Sequence, residues 1–139
     1  MSRPDQSTRT ARRSTLYTSV IGLAALAVLL QGLWAGLFIR EGKDNDASWV
    51  EVHARGADVA ILLAVAATVI AVVKLRERKD LLVGTVAFLV LLVVEAYLGG
   101  EVGDSPGLTA VHIPLAMALV ALSVWLPFRA TRATRVTND

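Results

Sequence analysis

Four long apolar blocks, separated by short polar stretches, organise this chain. The first runs from Tyr17 to about Ile39 and the second from Ser48 to about Lys74, the latter apolar throughout its body from Val59 to Val73. The third covers Leu81 to Leu98, and the fourth runs from Pro106 to about Phe128. At ~1.5 Å of rise per residue, such blocks are helices long enough to cross a ~30 Å hydrocarbon core. The first block has the basic flank of a signal peptide, but its apolar run exceeds the usual ~7–15 residues. No small-x-small cleavage site follows it, so it reads as a true span. Helix starts are marked locally. Ser48-Trp49-Val50-Glu51 has the form of a capping box, and Ser105 before Pro106 fits an N-cap with proline at the first helical position.

The pattern therefore predicts an all-α fold, a four-transmembrane-helix up-down-up-down bundle over residues 17–128, with polar basic tails at 1–16 and 129–139. Composition agrees. The 139 residues are 55% hydrophobic with a mean hydropathy of +0.58, more apolar than an ordinary soluble domain. The absence of cysteine excludes disulfides, thiolate metal sites and covalent c-type haem attachment. A pI near 9.4 raises the question of nucleic acid, but the placement of the charges answers it. Eleven of the fourteen Lys and Arg lie in the first tail, the 74–80 loop and the last tail, leaving only Arg40, Lys43 and Arg55 on the other side. In loops this short the positive-inside rule applies. It places both termini and the 74–80 loop in the cytoplasm, across a cytoplasmic membrane, with the lipid bilayer rather than nucleic acid as partner.

The two halves read as copies of one helical hairpin. Gln31-Gly-Leu-Trp-Ala-Gly36 stands near the outer end of the first span, and Glu95-Ala-Tyr-Leu-Gly-Gly100 at the matching depth of the third. A polar loop follows each, and then a helix with a single histidine near its start, His53 or His112. These are the only two histidines in the chain. In a four-helix bundle with short loops the second and fourth helices are diagonal neighbours. A planar macrocycle between them would take one axial ligand from each, and imidazole is a common ligand of haem iron. The competing expectation is that both histidines are interfacial and hydrogen-bond a neighbouring helix or water. A zinc site of His53, His112 and Glu51 or Glu101 is a third possibility, without HExxH-type spacing.

Other residues are weighed in the same way. Ala57, Ala60, Ala64 and Ala67 form a small-residue stripe that either leaves room for a flat ligand or lets two backbones approach closely. Glu95 lies about one turn inside the third span, where an ionised carboxylate is costly. It is either functional or a shallow side chain reaching the surface. Arg55 either pairs with Asp58 or meets a haem propionate. Trp34, Trp49 and Tyr97 read as aromatic-belt anchors, and Pro114 as a local bend that aims His112.

The stretches WVEVHARGADV (49–59) and LTAVHIPLAMALVAL (108–122) resemble the openings of the second and fourth helices in one four-helix half of heme A synthase. The resemblance implies haem b held by His53 and His112, with Glu51 as the candidate carboxylate near a reacting methyl group. Two departures stand out: Glu51 is two residues before the histidine rather than three, and Arg55 is one position late. The chain is also similar to a group of small four-helix actinobacterial membrane proteins with one histidine in each of the same helices, which implies no activity. Half-length members of the first family pair as dimers, so a homodimer is one expectation for partners. The resulting expectation is a bis-histidine haem b protein for electron transfer or haem handling, with Glu51 and Glu95 as candidate catalytic carboxylates. The alternative is a cofactor-free accessory or scaffold subunit docked on a larger membrane complex.

Overall fold

A computed structural model describes residues 6–40 and 47–135, with side chains placed over 15–37 and 48–132. Residues 1–5, the loop residues 41–46 and residues 136–139 lie outside the described residues. The described residues form four helices: α1 (Gln6–Arg40), α2 (Ala47–Lys74), α3 (Lys79–Glu101) and α4 (Thr109–Arg135), the last entered through a 3-10 turn at Pro106–Leu108. Each helix, the fourth together with its 3-10 turn, contains an apolar stretch of 23 or 27 residues, enough to span a bilayer. Many large apolar side chains face outward, among them Leu62, Val73, Val83 and Met117. In water this would be a severe liability, whereas against lipid tails it carries no penalty. The protein is a multi-pass membrane protein.

Each helix packs on its chain neighbours, and α1 closes the ring against α4, so α2 and α4 stand on one diagonal and α1 and α3 on the other. Alternation of direction follows from the side chains that meet. The end of α1 meets the start of α2 at Gln31 and His53, and the end of α3 meets the start of α4 at Glu95 and His112. The alanine stripe resolves as packing. Ala60, Ala64, Ala67 and Ala71 are fully buried against Ile21, Ala24, Val28, Phe88 and Leu92 in one core. Small side chains let backbones come close, which is how helices gain dispersion contacts in lipid.

At the basic end the polar groups are closed off. Tyr17 Oη donates to Thr85 Oγ1 at 2.6 Å, and Thr85 Oγ1 donates to the Leu81 carbonyl at 2.6 Å, a hydroxyl relay across the α1–α3 diagonal. Asp80 accepts two bonds from Arg78, at 3.1 and 3.0 Å, and one from Arg129 of α4 at 3.0 Å. That carboxylate ties the α2–α3 turn to the end of α4.

Several helix boundaries differ from the sequence pattern. α1 starts at Gln6 and α4 continues to Arg135, so both basic tails are partly helical. Once a long apolar span has nucleated the helix, good helix formers such as Ala and Arg extend it cheaply. α2 begins at Ala47, which puts Ser48 inside the first turn, and Glu51 turns to Arg55 instead of closing a capping box. Ser105 makes no side-chain cap, and the fourth segment opens as a 3-10 turn with Pro106 in its first positions.

Candidate functional site

The end of the bundle opposite the Asp80 cluster gathers four inward polar side chains, one from each helix: Gln31, His53, Glu95 and His112. They lie above a floor formed by Val28, Ala60, Leu92 and Leu119, all buried. Each histidine lies within the first two turns of its helix, and both rings are part-buried. They stand on diagonal helices at the same end of the bundle.

In the first hairpin His53 Nδ1 lies 3.2 Å from the Gln31 main-chain carbonyl. The orientation of the Gln31 amide follows from its surroundings. With its nitrogen toward α2 it donates to the His53 carbonyl at 2.8 Å and lies 3.1 Å from His53 Nδ1, while its oxygen accepts from Ala57 N–H at 3.2 Å. Gln31 thus grips one step of the α2 backbone from the side. Gly56 makes that approach possible, because a Cβ there would collide with the Trp34 ring and the Gln31 amide. Trp34 therefore packs between α1 and α2 rather than standing free as a belt anchor. Tyr97, by contrast, is 67% exposed, as a belt residue would be.

In the second hairpin Glu95 is only 8% exposed. It does not reach for the surface, and its Oε1 lies 2.9 Å from His112 Nδ1. The two atoms are close but poorly aligned for a hydrogen bond. Both His112 Nδ1 and Glu95 Oε2 are buried without a hydrogen-bond partner. The His112 ring rests on α3 at Gly99, where a Cβ would sit 3.0 Å from His112 Cε1. The sequence repeat thus appears as geometry: a histidine from an even-numbered helix meets a Gln or Glu from the helix before it.

The remaining candidates are elsewhere. Glu51 and Arg55 pair at 2.7 Å, with side chains 62% and 75% exposed, and Asp58 adds a 3.8 Å contact to Arg55. Successive α2 positions two apart point to opposite faces, so Glu51 and Arg55 lie away from the histidines. They rim an apolar groove of about 380 Å³ lined by Ala27, Leu30, Trp34, Val52, Gly56 and Val59. A second apolar groove runs along α3 from Leu82 to Leu91, and neither groove is lined by a histidine. The three-ligand zinc set does not assemble. Among the described residues no three His, Asp or Glu side chains are grouped to hold a metal ion.

The arrangement defines a class: a membrane four-helix bundle with one histidine–Gln or histidine–Glu contact in each hairpin at the same end. Compared with family models, curated proteins and solved structures, the chain matches none.

Proposed function

We propose that this chain binds one haem b between His53 and His112 and serves electron transfer or haem handling in the membrane. One observation carries the reading: the only two imidazoles lie at one end of the bundle on diagonal helices, each with Nδ1 beside an oxygen. A histidine that ligates a metal almost always turns its other ring nitrogen to a carbonyl or carboxylate, which fixes the tautomer that leaves Nε2 unprotonated. The Gln31 carbonyl and the Glu95 carboxylate are such partners. The orphaned Glu95 Oε2 adds to the fit, since a buried polar atom without a partner marks a place that a bound group completes.

When bound, the haem would supply one-electron redox chemistry. The residues of the chain hold and exclude. His53 and His112 would hold the iron through their imidazoles, with Gln31 and Glu95 beside those rings, and the buried Ala60, Leu92 and Leu119 keep water from the rest of the core. Glu51 and Arg55, on the far face of α2, take no part in this reading, and methyl oxidation is not proposed. The distribution of Lys and Arg supports an orientation with the Asp80 end in the cytoplasm and the histidine end outside.

A second reading has its own support. Ala60, Ala64 and Ala67 of the stripe are fully buried in helix packing, and neither groove reaches a histidine, which suits a cofactor-free accessory subunit of a larger membrane complex. The absorption spectrum of the detergent-purified protein, oxidised and then dithionite-reduced, separates the two. About one haem per chain, with a low-spin signature that disappears in both His53→Ala and His112→Ala, supports the haem reading. A colourless protein that stays colourless after haem is added supports the accessory subunit.

A further inference from the structure

Nothing said of the histidines uses the groove between α1 and α2. It is cut where two small residues meet, Ala27 of α1 and Gly56 of α2, and its walls are Leu30 and Trp34 on one helix and Val52 and Val59 on the other. From Val52 to Val59 it follows α2 for ~10 Å, much of the ~15 Å that half a hydrocarbon core measures. An apolar hollow on the outside of a membrane bundle is filled by the medium around it, so a lipid chain is the occupant at hand.

The charges at its mouth select among lipids. Glu51 and Arg55 line the groove in the first turns of α2. Arg55 Nε donates to Glu51 Oε1 at 2.7 Å, and Arg55 Nη1 lies 3.8 Å from Asp58 Oδ2. The row is one guanidinium flanked by two carboxylates, all mostly exposed, with one negative charge in excess. An anionic headgroup gains from Arg55 but meets that excess. A headgroup with both a phosphate and an ammonium matches both signs. Its phosphate accepts from the guanidinium N–H groups that Glu51 does not use. A primary ammonium also donates to the carboxylates, which a quaternary one, having no N–H, does not.

We propose that the α1–α2 groove is a lipid site selective for phosphatidylethanolamine. One acyl chain lies over Ala27 and Gly56 beside Trp34, the phosphate sits on Arg55, and the ammonium sits against Glu51 and Asp58. The site depends on neither reading of the histidines, since the groove reaches neither of them.

Trp34 reports the occupant, because brominated acyl chains quench the fluorescence of an indole they touch. Trp49→Phe/Trp125→Phe leaves Trp34 as the only tryptophan. Trp34→Phe/Trp49→Phe leaves Trp125, which is 42% exposed and outside the groove, as a monitor of bulk lipid. Each full-length variant is placed in phosphatidylcholine vesicles with an equal small fraction of brominated phosphatidylethanolamine, phosphatidylcholine or phosphatidylglycerol. Trp34 should favour the ethanolamine lipid over both others by ~2–5-fold, the range that exposed charge pairs give, while Trp125 follows the bulk fraction. Adding Glu51→Gln/Asp58→Asn, both at exposed positions, should turn the preference of Trp34 toward phosphatidylglycerol, because Arg55 then stands alone. Equal quenching of Trp34 by all three lipids, or an ethanolamine preference that survives the double substitution, overturns the proposal. So does a Trp34 that no brominated lipid quenches while Trp125 is quenched, since protein and not lipid would then cover the groove.

Discussion

Gly56→Ala is a one-carbon change whose sign the structure decides. In an exposed helix interior, alanine is favoured over glycine by about 0.8–1 kcal/mol, and on that ground alone the variant should be the more stable protein. A Cβ at Gly56, however, would overlap the six-membered ring of Trp34 and the amide of Gln31, with the Trp34 Cε3 atom 2.8 Å away. The indole is broad and stiff, and it is wedged between two helices, so α1 and α2 must part or Trp34 must leave its rotamer. Overpacking of this kind costs about 1–3 kcal/mol, which outweighs the propensity gain. The expected net effect is a loss of up to about 2 kcal/mol. Gly22, Gly32 and Gly36 are internal controls, because a Cβ at any of them meets nothing within 4 Å. Alanine at Gly36 should be neutral or slightly stabilising.

The assay is reversible unfolding of the purified protein in mixed micelles, run on Gly56→Ala, Gly36→Ala, Trp34→Ala and the double variant Gly56→Ala/Trp34→Ala. Adding Gly56→Ala to the Trp34→Ala background should cost little or nothing, since the ring that blocks the new methyl is gone. A cycle of this kind isolates the coupling between the two positions. The reasoning fails if Gly56→Ala matches Gly36→Ala, or if the alanine costs the same with and without Trp34. Because Gln31 is displaced along with Trp34, the variant should also disturb the environment of His53, and the ¹⁵N shifts of that ring should move while those of His112 stay put.

The other predictions concern both ends of the bundle. Gly99→Ala places a Cβ 3.0 Å from His112 Cε1, so the imidazole must tilt; haem affinity, measured by titration, should fall while the helical content in circular dichroism stays unchanged. Tyr17→Phe removes one hydroxyl from the α1–α3 relay but leaves Thr85 still donating to the Leu81 carbonyl. The loss should be about 0.6 kcal/mol, the mean for interhelical hydrogen bonds in a membrane protein, and Tyr17→Ala should cost several times more through the cavity it opens. Asp80→Asn weakens the contacts of Arg78 and Arg129 together. These groups are part-exposed, so the loss in unfolding should be about 1 kcal/mol or less and should shrink in high salt.

What the sequence made legible follows from the kind of signal each feature leaves. Apolar runs of span length and a sharp division of Lys and Arg are sums over many residues, and they were enough for four helices. The pairing of Gln31 with His53 and of Glu95 with His112 was foreshadowed by the repeat, because equal depth in two hairpins is a one-dimensional fact. Trp34 was harder. Its polarity and depth suit an interfacial anchor, and nothing in the chain pattern says that the helix opposite it presents Gly56 at the same level. That depends on how α1 and α2 are rotated about their axes, which residue spacing alone does not fix. The same holds for Arg55. Its spacing to Asp58 was legible and its pairing with Glu51 follows from i,i+4 geometry, but a reach toward a propionate required it to share a face with His53. The Asp80–Arg129 contact was hidden for a different reason. It joins residues 49 apart, and Arg129 had been counted only as one of the charges that set topology.

The two ends of the bundle handle polar groups in opposite ways, and the contrast bears on what the histidine end is for. At the Asp80 end the buried hydroxyls of Tyr17 and Thr85 are satisfied, and the carboxylate of Asp80 accepts from two guanidinium groups. Nothing there calls for a ligand. At the other end a nearly buried carboxylate is left with one oxygen unpartnered beside an imidazole whose Nδ1 is close but unaligned. Leaving such groups unsatisfied in a medium without water costs several kcal/mol each, and four leucines in place of Gln31, His53, Glu95 and His112 would pack the core without that cost. Helix association does not require these polar residues, because the alanine stripe already brings α1 and α2 together. A bundle that closes its polar groups at one end and leaves them open at the other is stable in its apo form only by bearing that penalty. A bound group that draws His53 and His112 onto its metal and settles Glu95 against the Nδ1 of His112 removes it. On this argument the protein should gain stability from its ligand, and haem added to the apoprotein should raise its unfolding midpoint in proportion to the logarithm of free haem. A midpoint that ignores haem would mean that the penalty is met in some other way, by waters or by a partner helix seated against Glu95.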